Sequence, residues 1–332
     1  MMKISKQSST FIKPYVPTPQ THRHYRLSLF DEVVPFWNVK AILFFSPISG
    51  QIRKFIVGLE TSLAKTLTHL YPLAGRYVDE TQIVECNDEG VEFIHAEVNI
   101  KLQEILGSVM DSKMVDEFIS LNTRAAHKLT DPLLSIQVTK FECGVVASKV
   151  QLVMAILSKA FIDLDRAINK HPRESIVMQP MNLRGKMASL IPKHSCGNLL
   201  AYCIKKSGIF ETTIELADVI NDSIKKAVNN YSKVHHDTEE GKSMVWDSIL
   251  QMANIAESTH VIGFTSWCKF PFYEANFGFG KPIWVAPGTV PLKNSAYLMD
   301  DAGGNGVEAH VFLEVNDVPM FEKSQNANAL RS

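Results

Sequence analysis

The chain has 332 residues, 45% of them hydrophobic and 21% charged, and its 34 basic and 35 acidic side chains leave a net charge of -1. That balance gives no electrostatic case for nucleic acid or an anionic membrane as partner, and the composition is that of an ordinary globular protein long enough for two domains. No run approaches the ~18 apolar residues of a membrane span, the N-terminus has no signal-peptide core, and the five cysteines lack CxxC or zinc-type spacing, which predicts reduced thiols in a cytoplasmic protein.

Pro14, Pro17 and Pro19 punctuate the opening segment, which is expected to run extended. Val39 to Phe45 is apolar and β-rich enough for a buried strand. "IRKFIVGLETSLAKTLTHLYPLAGR" predicts a helix, with Phe55, Leu59, Leu63 and Leu67 on one face, Pro72 as its stop and Gly75 as a turn. "RYVDETQIVECNDEGVEFIHAEV" predicts two short strands around an Asn87-Asp88-Glu89-Gly90 turn. A polar helical stretch near residues 100 to 120 precedes "DPLLSIQVTKF" (131–141), which alternates as a strand. From Ser148, the residues Val150, Met154, Leu157, Phe161, Leu164 and Ile168 step as a helix. "SIVMQPMNL" (175–183) predicts a strand, and "ETTIELADVINDSIKKAVNNY" and "KSMVWDSILQMANIA" predict helices. Strand-like pieces at 261–267, 283–290 and 307–315 close the chain. Strands alternating with helices, adjacent strand pairs included, predict an α/β protein with mixed sheets.

A general base near neutral pH is usually a histidine held by a second polar group. His235-His236-Asp237 lies in a charged, loop-like run with no apolar neighbours to build a pocket. His310 and Glu314 sit on an alternating segment, where an ordinary surface pair is expected. His69 and His95 are embedded in a helix and a strand, as structural histidines are. His194, in "PKHSCGN", has no acidic neighbour. No GxSxG, Walker or GxGxxG pattern follows a strand, and no metal set is indicated. "DDAGGNGVE" (300–308) leads into a strand rather than a helix, so a hairpin turn is expected there. Asp300, Asp301, Asp163 and Asp165 are expected on the solvated surface.

Short stretches in a particular order carry more information. They are "YPLAGR" (71–76), "CNDEGVEFIHAEV" (86–98), "DPLLSIQVTKFECG" (131–144), "MNLRGKM" (181–187), "GN" (197–198) and "ANFGFGKP" (275–282). Together they resemble the plant BAHD acyltransferases, which move an acyl group from a coenzyme A thioester to an alcohol or amine. "IKPYVPTP" and "RLSLFDE" are similar to the branch that acetylates alkaloid and terpenoid alcohols. The resemblance implies a two-lobed, chloramphenicol-acetyltransferase-like α/β architecture of mixed sheets flanked by helices, with a tunnel between the lobes. It implies a monomer with no bound cofactor, taking an acyl-CoA co-substrate, acetyl-CoA in this branch, and a small-molecule alcohol acceptor. The histidine of an HxxxD motif would take the acceptor's proton, and a distant DFGWG motif would give structural support.

Two departures follow. The family runs from the strand that "IQVTKF" resembles, through a second strand, into HxxxD. Here "FECG" (141–144) passes directly into "VVASKVQLVMAIL", which resembles a much later family segment. The seam at residues 144–150 implies that the HxxxD block and the crossover are missing together. The expected division is residues 1–147, a truncated first lobe, and 148–332, a second lobe with the DFGWG-like site. No HxxxD is expected elsewhere among the eleven histidines. Loss of the histidine would remove a contribution of roughly 10²–10⁴-fold, and loss of the block would leave an open sheet edge. The second departure is Asn276-Phe277-Gly278-Phe279-Gly280 in place of DFGWG. Asn there would leave a partner arginine, with Arg184 the candidate, short of a counter-charge. The expectation is an acyltransferase relative without activity; the alternatives are a non-catalytic binder of acyl-CoA or metabolite, and an enzyme using His194 as substitute base.

Overall fold

The N-terminal segment is extended up to its prolines, as strand β1 (Ile4–Ile12). In chain order there follow β2 (His24–Arg26), β3 (Ala41–Phe45), α1 (Ile52–His69), β4 (Arg76–Val78), β5 (Ile83–Glu85), β6 (Val91–Val98) and β7 (Ser135–Lys140). Beyond the seam come α2 (Gln151–Asn169), β8 (Ser175–Asn182), β9 (Leu200–Ser207), α3 (Thr213–Tyr231), α4 (Glu239–Ala253) and β10 (His260–Ser266). β11 (Pro282–Pro287), β12 (Ser295–Asp300), β13 (Val307–Phe312) and α5 (Val318–Glu322) complete the order. This computed structural model describes residues 4–27, 39–45, 52–100, 131–140, 151–170, 173–188, 197–207, 213–235, 237–256, 258–276, 280–288, 292–304 and 306–324, with a few isolated positions between. The helix expected near residues 100 to 120 and the seam itself fall outside the described residues.

Two compact units result: Met1–Val146 with Pro271–Thr289, and Ala147–Phe270 with Val290–Ser332. One of the boundaries between them falls between Val146 and Ala147. The segment carrying Asn276, expected in the second lobe, groups instead with the first unit, because β11 pairs antiparallel with β3. Phe44 and Trp284 stack across that pair with ring centroids 4.9 Å apart.

In the first unit, β6 pairs antiparallel with β1 and parallel with β7. Leu63 and Leu67 of α1 pack with Ile12, Ala74, Val91 and Ile136, so the helix's leucine face covers this sheet. A separate sheet has the order β2-β5-β4. The Asn87–Gly90 turn therefore does not join hairpin partners. It carries the chain from β5 of one sheet to β6 of another.

The second unit is built on a mixed sheet of order β13-β12-β10-β8-β9. β10 is parallel to both of its neighbours, and the outer strands β9 and β13 are antiparallel to theirs. Met154, Leu157, Phe161 and Leu164 of α2 pack with Ile262, Phe264, Leu298, Leu216 and Ile220 in one core. That stripe spans three- and four-residue steps, so a single helical face closes over the sheet. α4 begins in the charged run after His235: the Thr238 side chain accepts the backbone N–H of Gly241 at 3.2 Å, with Glu239 and Glu240 in the first turn. β9 and β12 were not evident from periodicity. β12, "SAYLMD", is an inner strand between β13 and β10, buried on both faces at several positions, so it does not alternate. No described helix is long and apolar enough to cross a membrane.

Candidate functional site

The stretches that carry the resemblance fold onto one another within their own units. In the first unit, "YPLAGR" closes on "CNDEGVEF". A β-carbon at Gly75 would run into the Glu85 carbonyl and the Val84 side chain, so only glycine lets the strands close. Gly90, at φ +99, donates to the Ala74 carbonyl at 2.9 Å, and a β-carbon there would lie 2.7 Å from the Ile12 carbonyl oxygen. Arg76 is buried between them. Its guanidinium donates to the Gly75 and Gly90 carbonyls at 2.8 and 3.0 Å, meets Glu89 at 3.1 Å and lies over the Phe11 ring. Asp88, at φ +59, accepts from the Thr18 backbone at 2.9 Å and from its hydroxyl at 2.6 Å. These are fastenings, not reactive groups.

In the second unit, "MNLRGKM" closes on "GN". Asn182 Oδ1 accepts the Arg184 backbone N–H at 3.0 Å, the Arg184 guanidinium donates to Asn182 and to the Gly197 carbonyl, and Leu183 donates to the Leu199 carbonyl. Lys186 donates to the Asn182 carbonyl at 2.5 Å, and burial holds its ammonium below the ordinary pKa. Arg184 thus meets neutral oxygens in its own unit. Asn276 accepts the Gly280 backbone N–H at 3.3 Å, with Gly280 at φ +98. Phe277, Gly278, Phe279 and His194 lie outside the described residues.

The remaining polar groups sort by burial. Asp163 meets Lys159 at 2.7 Å and Arg166 at 3.8 Å on the helix surface, as a solvated carboxylate would. Asp165 and Asp301 correct the surface expectation, since each is only 6% exposed. Asp301 accepts the Gly306 N–H at 3.1 Å and so closes the β12–β13 hairpin, while Asp300 accepts the Lys269 N–H. Asp165 receives Arg173 Nε at 2.8 Å and Asn169 at 2.9 Å. Burial pushes the Asp165 pKa up, but the Arg173 hydrogen bonds, the fields of His260 and Arg173, and the Asn169 bond together hold it below the usual carboxylate value.

Beside it lies a pair that the sequence did not signal: Ser175 Oγ and His260 Nδ1 are 2.9 Å apart. The residue types are those of a nucleophile and its base, yet Ser175 and His260 are 3% and 2% exposed, and the Asp165 carboxylate is engaged by Arg173. Burial lowers the His260 pKa despite Asp165. The set is shut off from solvent and ties the starts of β8 and β10 to the end of α2. Elsewhere, His95 meets Glu60 at 3.3 Å, His310 meets Glu308 at 3.5 Å, and Glu314 pairs with Lys293 at 2.6 Å rather than with His310. Burial pushes the Cys86 and Cys268 thiols up to about 11, away from nucleophilic character.

The expectation of no HxxxD anywhere needs one correction. His127-Lys128-Leu129-Thr130-Asp131 has that spacing. It precedes β7, whereas the family's motif follows the strand after it, so the match is one of spacing and not of place. His127 lies outside the described residues.

Two α/β units with mixed sheets, fastened at these particular stretches, define a class of fold, and comparison places it. The crystal structure of vinorine synthase superposes with a TM-score of 0.76 at 23% identity, over 96% of each chain. F. sporotrichioides TRI101 complexed with coenzyme A and T-2 gives a TM-score of 0.66 at 10% identity, over 92% of this chain and 98% of that one. The model of the Transferase family matches residues 2–150 and 145–328, and the chain belongs to this family, the BAHD acyltransferases. A Salvia splendens pelargonidin 3-O-(6-caffeoylglucoside) 5-O-(6-O-malonylglucoside) 4'''-malonyltransferase is 28% identical, over 97% of this chain and 98% of its own length. Vinorine synthase of Rauvolfia serpentina is 24% identical, over 96% of each. The Salvia alignment runs over 419 positions, and 419 less the 332 residues here leaves at least 87 positions with no residue of this chain.

Proposed function

We propose that this chain is a BAHD-family protein that no longer transfers acyl groups, derived from acetyl-CoA-dependent enzymes acting on an alcohol of plant specialised metabolism. The observation that carries this is the break in the family match. Its two stretches meet at residues 145–150, where the family's HxxxD-bearing segment is due, and the Salvia relative has at least 87 aligned positions without counterpart. The general base and the acceptor-positioning wall would go together, and positioning alone contributes about 7–11 kcal/mol to such a reaction. The scattered, unpaired-looking cysteine pattern supports a cytoplasmic protein.

The test is purified protein incubated with acetyl-CoA and a panel of alcohols, following free coenzyme A thiol. The expected result is no release above the protein-free rate. Turnover abolished by His194→Ala or His127→Ala would overturn the proposal in favour of a substitute base. Family matching over residues 145–328 favours a second reading, a non-catalytic binder of coenzyme A thioesters. Titration calorimetry with coenzyme A decides it, since absence of heat removes that reading.

A further inference from the structure

The outer strands of a sheet carry unpaired backbone groups, and their composition decides whether the edge stays single. In the sheet of order β1-β6-β7 the two outer strands differ. β1 is a guarded edge: Ser5 to Thr10 are exposed and polar, and the register shifts between Lys6 and Ser8. β7 has no such guard. It reads Ser-Ile-Gln-Val-Thr-Lys, and its register with β6 runs unbroken from Ser135 opposite Glu92 to Lys140 opposite Glu97. Its one charge, Lys140, is tied back to Glu97 at 3.3 Å, and among the described residues β6 is its one strand partner.

The strand is also self-complementary. In an antiparallel pair, directly opposed residues share a face. A two-fold axis through Gln137 therefore sets Ile136 opposite Val138 of a second copy, twice by symmetry. On the other face it sets Ser135 opposite Thr139 of the second copy, with Gln137 facing its own counterpart. Apolar meets apolar, polar meets polar, and no like charges are brought together. The position of the strand in the chain points the same way. Residues 145–150, where the two family-matched stretches meet, follow β7 closely, and the longer relative fills at least 87 positions that this chain lacks.

We propose that β7 pairs with β7 of a second copy, forming a two-fold dimer with a sheet continuous across both chains. This departs from the monomer that the family resemblance implies.

Size-exclusion chromatography with light scattering on the full chain tests it. The expected mass is twice the 37.2 kDa of one chain. Gln137→Lys and Gln137→Glu each put like charges on the axis, and each is expected to run as a monomer. Mixing the two is expected to restore a dimer holding one chain of each. Gln137→Thr, which leaves the axis polar and uncharged, is expected to stay dimeric. A monomeric unsubstituted chain, a dimer that survives both charged substitutions, or a mixture that remains monomeric overturns the proposal, as does a monomeric but folded Gln137→Thr.

Discussion

Asn276 closes its own turn, its side-chain oxygen accepting the backbone N–H of Gly280 at 3.3 Å. The bond needs an acceptor and not a charge, so the family's Asp and this chain's Asn serve it alike. Asn276→Ala is expected to lower stability by about 0.5–1.5 kcal/mol, and Asn276→Asp by clearly less. Thermal unfolding of the two variants side by side checks this. An equal loss for both would mean that the turn does not depend on the bond.

Gly75 is set by space. A methyl group there meets the backbone of Glu85 and cannot be relieved by a rotamer change. Gly75→Ala is expected to cost more than the ~1–3 kcal/mol typical of overpacked cores, seen as loss of soluble protein or a large fall in Tm. Gly58→Ala is the control: a β-carbon there meets nothing within 4 Å, and in mid-helix it should stabilise by about 0.5–1 kcal/mol.

The Asp165–Arg173–His260 set makes stability depend on pH in one direction. Burial lowers the His260 pKa, so the folded chain holds that proton less tightly than the unfolded chain does. The unfolded chain therefore takes up that proton first, and stability falls as pH drops through the ordinary histidine value, about 6.5. The lowered pKa of Asp165 contributes stability that is present above the ordinary carboxylate value, about 3.9, and lost as pH falls through its folded pKa. Urea unfolding at a series of pH values should show both steps. His260→Gln should remove the upper one and leave the lower. Arg173→Met should cost about 1–3 kcal/mol by leaving Asp165 buried without its main donor.

Ser158 runs the other way. It is fully buried in α2, and its hydroxyl has no hydrogen-bond partner among the described residues. Ser158→Ala removes a desolvated polar atom at almost constant volume and is expected to raise stability by about 0.5–2 kcal/mol. A fall in Tm would show that the hydroxyl has a bound partner.

Periodic elements were legible in the chain, because packing on one face imposes spacing. The leucines of α1 and the Met154–Leu164 stripe of α2 are where the steps put them. Pairings were not. The Asn87–Gly90 segment has the residues of a hairpin turn, yet Thr18 holds Asp88 and the Ala74 carbonyl holds Gly90, and these distant partners send the chain to another sheet. Asp163 and Asp165 look alike in sequence. One meets lysine and arginine on its own helix, and the other meets Arg173 beyond the helix end, which buries it. For the candidate site, the HxxxD spacing at His127 shows the same limit, since spacing is local and a catalytic place is not.

The return of residues 271–289 to the first unit has a consequence for synthesis. β3 leaves the ribosome early, but its partner β11 follows more than two hundred residues later. At about 5–20 residues per second, β3 waits roughly 10–50 s for that strand partner. Folding of the first half cannot be completed while the second half is still being made, and neither half can be excised as one uninterrupted piece of gene.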